Sequence, residues 1–288
     1  MPTNQQRRAA AKRKLQRQLE RRAERARLRR RNTVLGAIVG VVVIAAVVGG
    51  VMVYKSSSDD KSTQAASTTS AAPPQPAAPM PARRATPFPD LVDCKYDPTP
   101  APAAKPVNPP AATGIATTGD ANGIMPQPMK IETAQGPITM WMRIADSPCT
   151  VNNFISLARQ GYFNGTTCHR MTSSAELKVL QCGDPTGSGT GGPGYQFADE
   201  FPVDQPDKKP LLTYGRGMIA MANAGPGTNG SQFFLVYGDS KLPPSYTVFG
   251  WVDQNDLQTL DKIAQQGIVG GGEDGQPVAK VEITAVTG

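Results

Sequence analysis

The distribution of apolar and polar residues divides the chain into four parts of different composition. Residues 34–54 form a run of 21 residues without a charged side chain, and residues 55–128 contain few apolar side chains. From Met129 onward, short apolar runs alternate with polar residues, glycine and proline. We therefore predict a polar tail at 1–33, a membrane-spanning helix at 34–54, a linker at 55–128 and a folded domain at 129–286.

The folded part reads mainly as strands. Apolar residues at alternate positions over 129–133 and 138–144 predict a β-hairpin. Ser147 as N-cap and Pro148 as first helical residue predict a helix that ends at Gly161. Short strands, a second helix and a closing strand are predicted at 165–250, 256–266 and 279–285. An antiparallel barrel capped by two helices fits this pattern.

The apolar run at 34–54 is long enough to cross a membrane. At the helical rise it extends about 31 Å, close to the hydrocarbon thickness of a bilayer. A cleaved signal peptide has a shorter apolar region followed by a small-residue cleavage site, so we predict an uncleaved signal anchor. Residues 1–31 contain thirteen Lys and Arg. By the positive-inside rule, the N-terminus is cytoplasmic and the folded domain is extracytoplasmic.

The segment between the anchor and the folded domain is rich in proline, alanine, serine and threonine. Fifteen of the 27 prolines lie between Pro73 and Pro128. Such a composition buries too little apolar surface to fold alone, so we predict a disordered, partly polyproline-II linker. Residues 91–96 interrupt it and are candidates for docking on the domain.

The net charge and the histidine content exclude several classes of function. The formal net charge is +7, but residues 1–31 carry +11 and the rest of the chain −4. The basic tail has the charge to bind nucleic acid or anionic lipid. Its charge is explained by its role in setting the membrane topology, so no nucleic-acid partner is expected. His169 is the one histidine. This excludes sites with several histidines and leaves one candidate base, whose protonation the adjacent Arg170 disfavours.

Residues 187–192 match the GxGxxG spacing of phosphate-binding loops. That fingerprint requires a helix directly after the glycines. Pro193 and Gly194 follow instead, so we predict a tight surface loop.

The four cysteines all lie after the predicted anchor. An even number in an oxidising compartment favours disulfides, and four cysteines allow three pairings. Because Cys168 and Cys182 flank a hairpin-length stretch, we prefer Cys168–Cys182 with Cys94–Cys149. Metal binding is the alternative, although the chain contains no CxxC motif.

Three segments resemble the cyclophilin-type peptidyl-prolyl cis-trans isomerases. Residues 221–234 read MANAGPGTNGSQFF and differ from the family signature at Gly227, where asparagine is usual. CHR at 168–170 with VLQCGD at 179–184, and VFG at 248–250, match in the same order. With anchor and linker, the chain is similar to the membrane-anchored B-type cyclophilins of actinobacteria. The resemblance implies a closed eight-stranded antiparallel barrel capped by two helices.

The resemblance also implies site residues. Arg170 and Gln181 correspond to the catalytic arginine and its glutamine. The substrate-binding positions of the family correspond to Ala222, Asn223, Gln232, Phe234, Leu242 and Tyr246.

The sequence departs from the family pattern beside the pocket. Three extra residues separate Arg170 from Gln181, Lys178 stands where the family has phenylalanine, and Lys241 where it has tryptophan. These changes make the pocket wall less aromatic, so we expect weak cyclosporin binding and an altered preference for the residue before proline.

The reaction implied is rotation about a prolyl peptide bond. No bond is broken, so no nucleophile, metal or cofactor is expected. We predict an isomerase (rotamase) that assists folding of exported proline-containing polypeptides at the cell membrane. One alternative is a non-catalytic proline-peptide-binding or chaperone module on the same fold. Another is an envelope tether whose barrel is a passenger.

Overall fold

The computed structural model describes residues 76–120, 123–125, 127–205, 207 and 209–288. The predicted tail, the anchor at 34–54 and the first part of the linker lie outside these residues. Within the part that is described, no helix is both long and apolar enough to cross a bilayer.

The described residues form a mainly β fold with two α-helices. The helices are α1 (Pro148–Arg159) and α2 (Leu257–Gln265). The strands are β1 (Ala78–Pro79), β2 (Leu91–Val92), β3 (Asp97–Pro98), β4 (Ile115–Ala116), β5 (Met129–Thr133), β6 (Gly136–Met142), β7 (Thr166–Thr167), β8 (Arg170–Thr172), β9 (Lys178–Cys182), β10 (Tyr195–Gln196), β11 (Leu212–Tyr214), β12 (Met218–Met221), β13 (Phe233–Gly238), β14 (Ser240–Leu242), β15 (Val248–Val252), β16 (Asp274–Gly275) and β17 (Glu282–Thr287).

Ten strands form one sheet in the order β16-β8-β9-β13-β12-β15-β6-β5-β17-β7. The expected closed barrel of eight strands is wrong in strand number and closure, because no ladder joins the end strands β16 and β7 among the described residues. Instead, the chain from β7 to β8 crosses the gap with single backbone hydrogen bonds. The amide of Cys168 donates to Val281, and that of His169 donates to Gln181. The first bond reaches the residue before β17 and the second reaches β9, so the two do not form a ladder between one pair of strands.

The predicted hairpin and both predicted helices are confirmed. Strands β5 and β6 pair antiparallel with Thr133 opposite Gly136. Helix α1 starts at Pro148, and the left-handed φ of +66° at Gly161 follows its end. The closing strand starts at Glu282, three residues later than predicted.

Aromatic side chains fill the core between the sheet and α1. The Phe154 ring stacks on Phe163 at 5.0 Å between centroids and meets the edge of Phe233 at 5.4 Å. Helix α1 packs against β15 and β17, and α2 packs against β6 and β13. The apolar faces that the periodicity predicted are thus covered by the curled sheet.

The described part of the predicted linker is not disordered. We call residues 76–120 the docked segment, because β1 pairs with β11, β3 pairs with β10, and a disulfide joins Cys94 to Cys149 at the start of α1. The side chain of Tyr96 packs on the core, in the stretch singled out for docking. Lys105 donates to the carbonyls of Gly161 and Asn164 just beyond the end of α1. Covalent and backbone pairing therefore replace the apolar burial that this composition lacks.

The N-terminus of α1 is capped differently from the prediction. The Ser147 hydroxyl donates to the Val248 carbonyl instead of capping the helix. The cap is the carboxylate of Glu200, which accepts from the amide of Cys149 and from the amide and hydroxyl of Thr150. A distant acidic side chain thus satisfies the first amides of the helix. Burial raises the pKa of Glu200 to about 7, although these hydrogen bonds lower it.

We expect the Glu200→Gln substitution to remove one pH dependence of stability. Because the folded state holds this proton more tightly than the unfolded chain, the contribution of Glu200 to stability falls between pH 4.5, its ordinary pKa, and about pH 7. The free energy of unfolding of the wild type, measured with urea relative to the variant, should decline across this window and be level outside it. Parallel pH curves for the two proteins would contradict this assignment.

Candidate active site

Three adjacent strands bring the predicted catalytic and pocket residues into one row. Arg170 on β8 lies opposite Gln181 on β9, which lies opposite Phe234 on β13. Directly opposed residues point to the same face of a sheet. The next row, Met171, Leu180 and Leu235, points to the core.

The guanidinium of Arg170 is held from two sides. Its Nε and Nη2 donate to the two carboxylate oxygens of Asp274 at 2.7 and 2.6 Å, and its Nη1 donates to Oε1 of Gln181 at 3.2 Å. The hydrogen bonds to Asp274 raise the pKa of Arg170, so it stays charged. The same pair lowers the pKa of Asp274. No motif in the sequence indicated Asp274, which follows Arg170 by 104 residues.

Gln181 and Gln232 continue this polar row. The side-chain amide of Gln181 donates to Oε1 of Gln232 at 2.9 Å. Gln232 in turn donates to the carbonyls of Gly189 and Gly191, each at 3.0 Å. Residues 187–192 form a loop as predicted, but it is a wall of the site and not an unrelated surface turn.

An apolar cluster adjoins the row. Phe234 is 5% exposed and meets Tyr246 edge to face at 5.7 Å between ring centroids. Leu242 and Ala222 pack on the same cluster. The structure therefore brings the four predicted pocket residues together. Sequence reasoning missed four other members of this cluster, Phe201, Leu212, Tyr214 and Val248.

Asn223, one of the predicted substrate-binding residues, is fixed by its own side chain. Its Nδ2 donates to the carbonyl of Ser245 at 2.8 Å. The preceding amide, that of Ala222, donates to the carbonyl of Gln232 at 3.0 Å. Ala222 and Asn223 line a pocket together with Gln181 and Gln232.

The two lysines that replace aromatic family residues point to different partners. Lys241 forms an ion pair with Glu176 at 2.6 Å. The aliphatic part of Lys178 lies against Gly238 on the neighbouring strand. Neither position supplies an aromatic wall to the pocket, as the sequence indicated.

His169 lies beside the row without joining it. Its two ring nitrogens are buried and have no hydrogen-bond partner among the described residues. Burial lowers the pKa of His169, Asp184 raises it and Arg170 lowers it. Within the described residues, no nucleophilic side chain is hydrogen-bonded to the imidazole. The described residues also contain no group of three His, Cys, Asp or Glu side chains placed to hold a metal.

Both disulfides have the pairing preferred from the sequence. Cys94 and Cys149 are joined, as are Cys168 and Cys182. The second bond lies directly beside the predicted catalytic residues, because Cys168 precedes Arg170 by two residues and Cys182 follows Gln181.

Comparison with known proteins agrees with this geometry. Residues 128–288 match the family described as cyclophilin type peptidyl-prolyl cis-trans isomerase/CLD. The chain belongs to this family. The resemblance seen in the sequence is confirmed, and the enzyme class it implied, cyclophilin-type peptidyl-prolyl isomerase, is that of the family.

Individual relatives extend the comparison. A probable peptidyl-prolyl cis-trans isomerase B of Mycobacterium leprae is 52% identical over 99% of both chains. One of Mycobacterium tuberculosis is 55% identical over 67% of this chain, and the match spans 63% of that protein. A human peptidyl-prolyl cis-trans isomerase-like 1 is 40% identical over 55% of this chain and 90% of its own length. A crystal structure of a cyclophilin type isomerase from Cryptosporidium parvum aligns with a TM-score of 0.46 and 30% identity, covering 56% of this chain and 96% of that one.

We expect Asp274→Asn to lower kcat/KM for a proline peptide by at most about fivefold, because partly exposed ion pairs contribute up to ~1 kcal/mol. By accepting from Nε and Nη2, the Asp274 carboxylate orients Nη1 of Arg170. Protonation of the carboxyl group removes this interaction. Activity of the wild type should therefore contain an acid limb, as the pH falls through the lowered pKa of Asp274, that the variant lacks.

Asp261→Asn is the matched control for this substitution. Asp261 forms a similar two-point ion pair with Arg216, at 2.6 and 2.9 Å. It lies on α2, outside the polar row, so its loss should leave kcat/KM and the pH profile unchanged. Equal effects of the two variants would show that Asp274 has no role in positioning Arg170.

Proposed function

We propose that this protein catalyses prolyl cis-trans isomerisation in exported, unfolded polypeptides while anchored to the membrane by residues 34–54. The observation that carries the catalytic part is the row Arg170, Gln181 and Phe234, which places a fixed cation beside an apolar cluster on one face of the sheet. The cluster provides a site for the proline ring, and the arginine acts on the peptide bond next to it.

The chemistry needs little more than this arrangement. Resonance gives the peptide C–N bond a rotation barrier of ~18–20 kcal/mol. In the twisted state the prolyl nitrogen becomes pyramidal and regains a lone pair. Nη1 of Arg170, the nitrogen not used by Asp274, can donate to this lone pair or to the substrate carbonyl. Donation that strengthens in the twisted state lowers the barrier, and about 5–7 kcal/mol corresponds to roughly 10⁴–10⁵-fold acceleration.

The environment of Arg170 favours this role over a simple surface ion pair. Arginine remains charged, and its planar fork bonds two partners at once. Here Asp274 takes one edge of the fork and Gln181 contacts the other. Because the guanidinium is already held in place, it loses little conformational entropy when substrate binds.

We expect Arg170→Ala to reduce the catalysed isomerisation rate about a hundredfold or more, as for removal of one transition-state donor. A protease-coupled cis/trans assay on the full-length protein measures this rate. Arg216→Ala, which removes the arginine paired with Asp261 outside the polar row, is the control and should retain wild-type activity. Equal catalysed rates in wild type and Arg170→Ala would refute the arginine mechanism. Rates of both at the uncatalysed level, with peptide still bound, would establish the non-catalytic binding module.

Two observations support an extracytoplasmic location for the folded domain. All four cysteines of the chain are paired in disulfides, which persist in oxidising compartments. The charge difference across residues 34–54 orients the basic tail toward the cytoplasm. Uncatalysed prolyl isomerisation takes tens to hundreds of seconds, so a tethered isomerase would accelerate folding of newly exported chains.

Protease added to intact spheroplasts should remove the folded domain. The expected product is a short fragment that keeps the cytoplasmic tail, detected with an N-terminal epitope tag. A cytoplasmic protein should stay intact in the same sample, and detergent lysis should make both susceptible. Complete protection of the folded domain before lysis would contradict the proposed topology.

A further inference from the structure

Part of the docked segment lies against the active site although it precedes the region that matches the family. Residues 97–104 come before residue 128, where the family match begins. Strand β3 pairs with β10, the amide of Thr99 donates to Gly194 and the amide of Ala104 donates to Gly192. These bonds hold residues 97–104 on the glycine-rich loop that forms one wall of the site.

Part of the docked segment and two residues of the polar row, Gln181 and Gln232, line one pocket. Its volume is about 730 Å³, within the range of sites that bind small molecules and side chains. On one side it is lined by Thr99 and residues 101–104, and on the other by Gln181, Asn223 and Gln232. A peptide running along Ala222 and Asn223 therefore passes between the family's own residues and this added wall.

The wall is also coupled to the catalytic arginine. Gln232 holds the carbonyls of Gly189 and Gly191 and accepts from Gln181, which accepts from Arg170. The docked segment binds the same loop at Gly192 and Gly194. One connected set of hydrogen bonds thus joins the docked segment, the loop and the guanidinium.

We propose that residues 99–104 are a specificity-determining part of the substrate-binding surface. They contact a substrate residue several positions from the proline and select an uncharged side chain. None of the described residues that line the pocket carries a charge, and burying an unpaired charge there would be unfavourable. The small side chains of Ala101 and Ala103 leave the space that such a residue fills. This inference rests on the proposed isomerase function and adds the residue class it recognises.

The first test fills the pocket. Ala101→Trp is placed on an exposed residue of the wall, and Ala112→Trp, also exposed and on the docked segment but outside the pocket, is the matched control. The substrates are a four-residue proline peptide and two longer ones, extended by five alanine or glutamine residues before or after it. We expect Ala101→Trp to lower kcat/KM about tenfold for one extended peptide, through KM, and to spare the short peptide. Ala112→Trp should behave as wild type on all three, with an unchanged Tm for both variants.

The second test places a charge in the wall. Ala101→Asp should reverse the preference at one substrate position, so that a peptide with lysine there becomes a better substrate than its alanine counterpart. Peptides that each carry one lysine at a different distance from the proline identify that position. No change at any position, together with equal effects of Ala101→Trp and Ala112→Trp, would overturn the inference.

These measurements distinguish failure of the proposed isomerase function from failure of the proposed role of residues 99–104. If the wild type isomerises none of the peptides, the enzymatic proposal fails. Affinities of the same extended peptides, measured by isothermal titration calorimetry, then decide the role of residues 99–104. Weaker binding only in Ala101→Trp supports it, and equal binding in all variants refutes it.

Discussion

The active site depends on the register of strands β8, β9 and β13. Because side chains alternate between the faces of a strand, this register points Arg170, Gln181 and Phe234 outward. A slip of one residue would turn the guanidinium toward the core and expose Met171 or Leu235 instead. Burial of the inner row therefore fixes the outer row, and packing that stabilises the fold also sets the geometry of the chemistry.

A disulfide reinforces this register at the end of the β8–β9 ladder. The chain between β7 and β8 is held by two single backbone bonds, from Cys168 and His169. The bond from Cys168 to Cys182 joins that chain to the end of β9, and both cysteines are at most 1% exposed. Arg170 lies two residues after Cys168, and Gln181 lies directly before Cys182. The disulfide therefore helps the backbone hydrogen bonds to fix the relative position of Arg170 and Gln181.

The docked segment adds to the surface of the part of the chain that matches the family. The family match begins at residue 128, yet Thr99 and residues 101–104 line a pocket together with Gln181 and Gln232. The disulfide at Cys94 anchors this segment to the start of α1, where Glu200 also binds. A proline-rich segment that precedes the family match can therefore alter the shape of a site built from family residues.

The sequence by itself determined the family, the hairpin, both helices and the residues of the outer row, because local periodicity and a long contiguous motif carry that information. The closed barrel was wrong, as was disorder over residues 76–120 of the linker, and Asp274, Tyr214 and the Glu200 cap were missed. Each of these depends on partners far apart in the chain, as with Asp274, 104 residues after Arg170. The tertiary structure alone decided them, since only the folded sheet brings such groups within hydrogen-bonding distance and shows that a proline-rich stretch is held by a disulfide and strand pairing.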